Sequence, residues 1–123
     1  MDIRVKRVYE APSPGDGTRV LVDRLWPRGL TKEKAAVDVW LKELAPSTEL
    51  RKWFNHEPEK WDTFQERYRK ELKQRPEGWE QLSELVANGP VTLLFGSKEE
   101  RFNDAVALKA FLLSRHARGS GAH

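Results

Sequence analysis

The chain has 123 residues, no cysteine, three histidines and a net charge of +3 from 22 basic and 19 acidic side chains. One domain fits this length, and the lack of cysteine excludes a disulfide framework, a thiolate nucleophile and any Cys-based metal site. Five Trp and five Phe argue against a disordered chain, which would leave them in contact with water.

Residues 2–8 alternate Ile3, Val5 and, after a slip, Val8 with charged side chains, the period of a half-exposed strand. Two prolines and two glycines in Ala11–Gly17 mark a surface loop. Residues 18–23 carry Val20, Leu21 and Val22 without a break, which predicts a central strand of an α/β sheet buried on both faces. Pro27 ends that segment and Gly29 permits a tight turn. Residues 31–45 fit either period; a helical turn at 32–36 and a short strand near 38–43 are expected.

Ser47 can cap a helix over 48–55. Pro58 opens a helix over 58–74, with Trp61, Phe64, Tyr68 and Leu72 on its apolar face. Pro76 opens a third, which Asn88-Gly89-Pro90 ends. Trp53, Trp61 and Trp79 fall in these stripes and are expected in the core. Val91–Phe95 is the second strongly apolar strand. Beyond it, Ser97 with Glu100 matches a capping box, and Asn103 is a rival cap for a last helix over 103–115. Residues 1–115 are thus expected to form a single small α/β sandwich, with a mostly parallel sheet flanked by helices, and 116–123 a flexible basic tail. No apolar run is long enough for a membrane span or a signal-peptide core, so a cytoplasmic protein without membrane contact is expected. No dinucleotide, P-loop, nucleophile-elbow or zincin motif occurs, and neither cofactor nor metal is expected.

In open parallel sheets ligands sit beyond the carboxyl ends of the strands. Both apolar strands run into polar clusters there: Asp23, Arg24 and Arg28 after one, Ser97, Lys98 and Asn103 after the other. Parallel neighbouring strands would bring these clusters together, with two guanidiniums, an ammonium and a helix N-terminus facing one space. That combination suits an anion, with Arg24, Arg28, Lys98, Ser97 and Asn103 as its ligands. The plainer alternative is an ion pair between Asp23 and an arginine that pins the loop, with Ser97 only a cap. Asp23 and His56 are the candidate acid–base groups, and Ser97 a weak candidate nucleophile. For His56 a hydrogen bond at a helix start is the favoured reading over acid–base work, and Trp26 is expected to pack within its loop.

Four segments carry a resemblance: Arg19–Gly29 (RVLVDRLWPRG), Trp40–Ser47 (WLKELAPS), Arg51–His56 (RKWFNH) and Val91–Phe95 (VTLLF). Together they resemble the YeaO-like branch of DUF488, a family named for a domain of unknown function. The resemblance implies a compact α/β fold and places Asp23, Arg24, Trp26, Pro27 and Arg28 in the family signature. It puts Pro46, Ser47 and His56 in a middle block, and Lys98 and Asn103 in a last block. Relatives often carry His where this chain has Phe102, and one branch carries Cys in the loop where this chain reads Gly96-Ser97-Lys98. Thiol chemistry is therefore closed to this chain.

Two functional classes remain. One is a domain that binds an anionic small molecule bearing phosphate or carboxylate, as a receptor or as an enzyme of unassigned reaction. The other is a nucleic-acid-associated accessory domain, suggested by a pI near 9.3 and by the basic residues Arg4, Lys6, Arg7, Arg115 and Arg118. No RRM, KH or helix-turn-helix signature supports the second.

Overall fold

Four parallel strands form one sheet in the order β1-β4-β2-β3. They are β1 (Ile3–Arg7), β2 (Thr18–Leu21), β3 (Val39–Trp40) and β4 (Val91–Phe95). The helices are α1 (Lys32–Ala35), α2 (Thr48–Phe54), α3 (Trp61–Lys73), α4 (Pro76–Asn88) and α5 (Asp104–Gly121). The computed structural model describes the backbone of residues 2–121 and the side chains of residues 2–114. The tail expected over 116–123 lies outside the described side chains; α5 itself extends past the expected end at 115.

The unbroken apolar runs behave as their composition requires. Side chains alternate across a strand, so consecutive apolar residues must serve both faces. Val20, Val22, Val91, Leu93 and Phe95 join the main core under α2 to α5, whereas Leu21 and Leu94 join a smaller cluster with Val8 and Ala35. That second face is closed by α1 and by Trp26, Leu30, Val37 and Trp40. The main core is an aromatic ladder: Phe54 stacks on Phe64 at 4.3 Å between centroids, and Phe64, Tyr68 and Phe111 follow one another at 5.6 and 5.9 Å. The fully buried Tyr68 hydroxyl donates to the Leu44 carbonyl at 2.5 Å.

Some expectations shift. Trp53, Trp61 and Trp79 are half-buried, packed against the core rather than inside it. Their stripes are correct, but each sits at the edge of the buried cluster, and Trp53 offers its outer face to Lys60 and Arg67 at 5.1 and 4.4 Å. Residues 58–60 form a separate 3₁₀ turn before α3. β3 has only two residues, because Leu41 begins a 3₁₀ turn over Lys42–Leu44. Asn103, not Ser97, caps α5: its Oδ1 accepts from the Val106 N–H at 2.9 Å. Ser47 caps α2 as expected, its Oγ accepting from the Leu50 N–H at 3.1 Å.

Gly17 has φ +64°, and a Cβ there would collide with the Pro90 carbonyl, which accepts the Thr18 N–H at 3.0 Å. Left-handed backbone and backbone-to-backbone contact both demand glycine. Gly17→Ala should therefore destabilise the fold by more than about 1 kcal/mol in urea unfolding. An unchanged midpoint would show that the β2 entry relaxes freely.

Candidate functional site

A cavity of about 510 Å³ opens at the carboxyl edge of the sheet. Asp23 from the end of β2 and Gly96 and Ser97 from the end of β4 reach it, as adjacent parallel strands require. α2 contributes Arg51, Lys52 and Phe54, and the residues after it contribute Asn55 and His56. The start of α5 supplies Asp104, and the loop after β2 supplies Trp26 and Arg28.

Asp23 makes no ion pair with an arginine among the described residues. Its Oδ2 instead accepts the Gly96 N–H at 2.7 Å and clamps the ends of β2 and β4 together. Asp104 lies beside it, in hydrogen-bonding contact with the Asp23 carboxyl. Burial pushes the Asp104 carboxyl well above the usual carboxylate range, and the Asp23 charge and hydrogen bond add to this; the Ala105 N–H and the Arg51 charge pull the other way. A proton held on Asp104 relieves its repulsion with the Asp23 charge.

The linkage runs against stability. A carboxyl whose folded pKa is raised favours the fold while protonated, so its penalty grows as pH rises above the unfolded value, near 4. Asp104→Asn keeps the shape and supplies N–H donors to Asp23. It should raise stability by about 1 kcal/mol near pH 7, with the gain vanishing below about pH 4. Thermal melts of both proteins across that range measure it; a loss at pH 7 would show that the charged form is needed by the fold.

Arg28 is exposed at the cavity rim, where its carbonyl accepts the Tyr9 hydroxyl at 2.9 Å. Arg24 turns away: its Nη2 donates to the Pro46 carbonyl at 3.3 Å, its Nε is buried without a partner, and the side chain does not line the cavity. Lys98 is exposed and outside the lining. Ser97 Oγ donates to the Glu99 carbonyl at 3.2 Å, and Asn103 Nδ2 donates to the same carbonyl at 2.8 Å, so both polar groups work inside the loop. Arg7 fixes that loop from β1, its Nε donating to the Ser97 carbonyl at 2.9 Å. Trp26 packs within its own loop, its Nε1 donating to the Leu30 carbonyl at 2.8 Å.

His56 is not at a helix start. It follows the left-handed cap Asn55 and is itself left-handed, with φ 53°. Its Nδ1 lies 2.9 Å from the Phe102 carbonyl, an acceptor only, so Nδ1 carries the proton and, in the neutral ring, Nε2 is the acceptor. This contact joins the end of α2 to the loop before α5.

Arg51, Lys52 and Asp104 escape sequence reasoning. Arg51 and Lys52 read as the solvated face of a short helix, and Asp104 as a favourable first-turn acid. Only the packing of α2 on α3 and of α5 on β1 and β4 brings them to a common space. Among the described residues no group of three or more His, Asp or Glu could hold a metal ion. No described helix is long and apolar enough to cross a membrane.

YeaO of Escherichia coli, itself named as uncharacterized, is 45% identical over 114 residues, covering 93% of this chain and 99% of YeaO. Rv3073c of Mycobacterium tuberculosis and Mb3100c of Mycobacterium bovis, both also named as uncharacterized, are each 41% identical over 113 residues, 92% of this chain and 95% of theirs. No solved structure matches the chain. The family model described as "Inactive DUF488-N3 subclade" matches residues 2–123, and the chain belongs to the DUF488 family.

Proposed function

We propose that the cavity at the strand ends binds a small anion, phosphate or carboxylate, and that the protein acts as a binding domain rather than a catalyst. The observation that carries this reading is the convergence of Arg28, Arg51 and Lys52 on one cavity, where none of the three forms an ion pair among the described residues. All three side chains are exposed, so water and salt screen their mutual repulsion, but like charges around one concave space still raise the local positive potential and favour an anion there. The two guanidiniums offer forked donors to a planar or tetrahedral oxyanion. The proposed anion ligands differ from those expected at first: Arg51 and Lys52 take the place of Arg24, which donates to the Pro46 carbonyl, and of Lys98, which lies outside the cavity.

Binding is favoured over catalysis because Ser97 has no base against its hydroxyl among the described hydrogen bonds. The word "inactive" in the subclade description accords with this. A cytoplasmic setting belongs to the same proposal.

Phosphate at about 100 times its dissociation constant should stabilise the protein by about 2.7 kcal/mol through linkage. Melting temperature against phosphate at constant ionic strength measures this. Arg28→Ala should lose most of the gain and Arg28→Lys should recover part of it. Equal gains in wild type and Arg28→Ala would reduce the effect to general ion exclusion. The nucleic-acid alternative predicts instead an oligonucleotide affinity that falls steeply with salt.

A further inference from the structure

We infer that the ligand of this cavity is a zwitterion: an anion that also carries an ammonium, amidine or similar N–H donor group, which docks on the Asp23–Asp104 carboxyl pair. The inference rests on the anion reading above and narrows its ligand class.

The chemistry of the cavity is two-sided. Arg28, Arg51 and Lys52 bring only donors, whereas Asp23 and Asp104 bring an excess of acceptors. Each carboxyl has one oxygen committed to a backbone N–H: Asp23 Oδ2 to Gly96 at 2.7 Å and Asp104 Oδ1 to Ala105 at 2.9 Å. The remaining oxygens have no backbone or side-chain donor beyond each other among the described residues. Two carboxyls in contact can satisfy one another with a single proton, and an incoming cationic N–H group replaces that proton with a charge-assisted hydrogen bond to both. A simple oxyanion uses the cationic side of the cavity and faces the carboxyls with repulsion. A ligand with both charges uses both sides. The volume, about 510 Å³, exceeds what a bare phosphate fills, and Phe54 and Phe64 provide an apolar wall for the stem between its two ends.

The test uses ω-aminoalkyl phosphates with two to six methylenes, each against the n-alkyl phosphate of the same length, by calorimetry at pH 7 and constant ionic strength. Matched lengths cancel the apolar contribution. At one length or more the amino compound should bind at least about tenfold tighter, the return of one charge-assisted hydrogen bond. Asp104→Asn should lose most of that ratio, because the second negative charge can no longer form. If alkyl phosphates bind and no length shows a preference for the amine, the inference is wrong and the anion reading stands. A preference that survives intact in Asp104→Asn also overturns it, since the discrimination then lies elsewhere. If inorganic phosphate and every alkyl and aminoalkyl phosphate fail to bind, the anion reading itself fails and takes the inference with it.

Discussion

Asp16→Asn should destabilise the protein by about 3–5 kcal/mol, the cost of removing one partner from a buried ion pair. Asp16 is 1% exposed and Arg19 4%. Arg19 Nη1 donates to Asp16 Oδ2 at 2.6 Å, and Lys6 Nζ donates to both oxygens at 3.1 and 3.0 Å. The Ser13 N–H and hydroxyl donate to the same carboxylate at 3.1 and 2.8 Å. The rest of the Arg19 fork donates to the Ala35 and Ala36 carbonyls at 2.9 and 3.0 Å, so one network joins β1, the loop before β2, β2 and the end of α1. An amide at position 16 leaves the guanidinium buried without its counter-charge.

The pH dependence has a definite sign. Burial alone would raise the Asp16 carboxyl, but hydrogen bonds from Ser13, Lys6 and Arg19 outweigh it and hold the pKa well below the ordinary range. A depressed folded pKa means stability that is fully present above the unfolded value, near 4, and is lost as pH falls toward the folded value. Urea unfolding at pH 7 and pH 3 should show a wide gap between wild type and variant at pH 7 and a narrower one at pH 3. A loss below about 1 kcal/mol at pH 7 would mean that water reaches Arg19 easily.

Phe64→Ala should cost about 3–5 kcal/mol, and Trp61→Ala only about 1–2 kcal/mol. Phe64 is 2% exposed and stands between Phe54, Trp61 and Tyr68, at 4.3, 5.7 and 5.6 Å between ring centroids. It has no route to relax, since the backbones of α2 and α3 hold its neighbours. Trp61 is the larger residue but is half-buried, packed edge-on against Phe102 at 5.4 Å. Chemical denaturation of the two variants orders them; a greater loss for Trp61→Ala would place the centre of the core at the rim of α3.

The contrast between Phe64 and Trp61 shows what a periodic pattern reveals and what it withholds. The spacing of Trp61, Phe64, Tyr68 and Leu72 identifies the inward face of α3 correctly. How far along that face the sheet extends is a tertiary fact, and Trp61 lies at its limit. The strands were more legible. Val20–Val22 and Val91–Phe95 lack a regular polar alternation, and a parallel sheet covered on both faces accommodates such runs. The short β3 was ambiguous because Val39 and Trp40 pair with only Val20 and Leu21 before the chain turns.

The site was half legible for a related reason. Asp23, Arg28 and Ser97 lie next to strand ends, and strand ends converge by topology. Arg24 and Lys98 share that position, yet adjacency to a strand end does not say to which side a side chain turns. The Pro46 carbonyl captures Arg24, and Lys98 stays in solvent. Arg51 and Lys52 lie on α2, which packs through Phe54 on Phe64 of α3, and Asp104 lies on α5, which packs through Phe111 on Tyr68 of α3; these contacts between segments are encoded by no local pattern.

The most direct test of an anion cavity at the strand ends is an amide NMR titration with inorganic phosphate at fixed ionic strength. Saturable shifts at one phosphate per chain are expected for Arg51, Lys52, Asn55, His56 and Gly96, together with the loop around Arg28. Shifts confined to Lys98, or spread without saturation over the basic residues of β1, would contradict it.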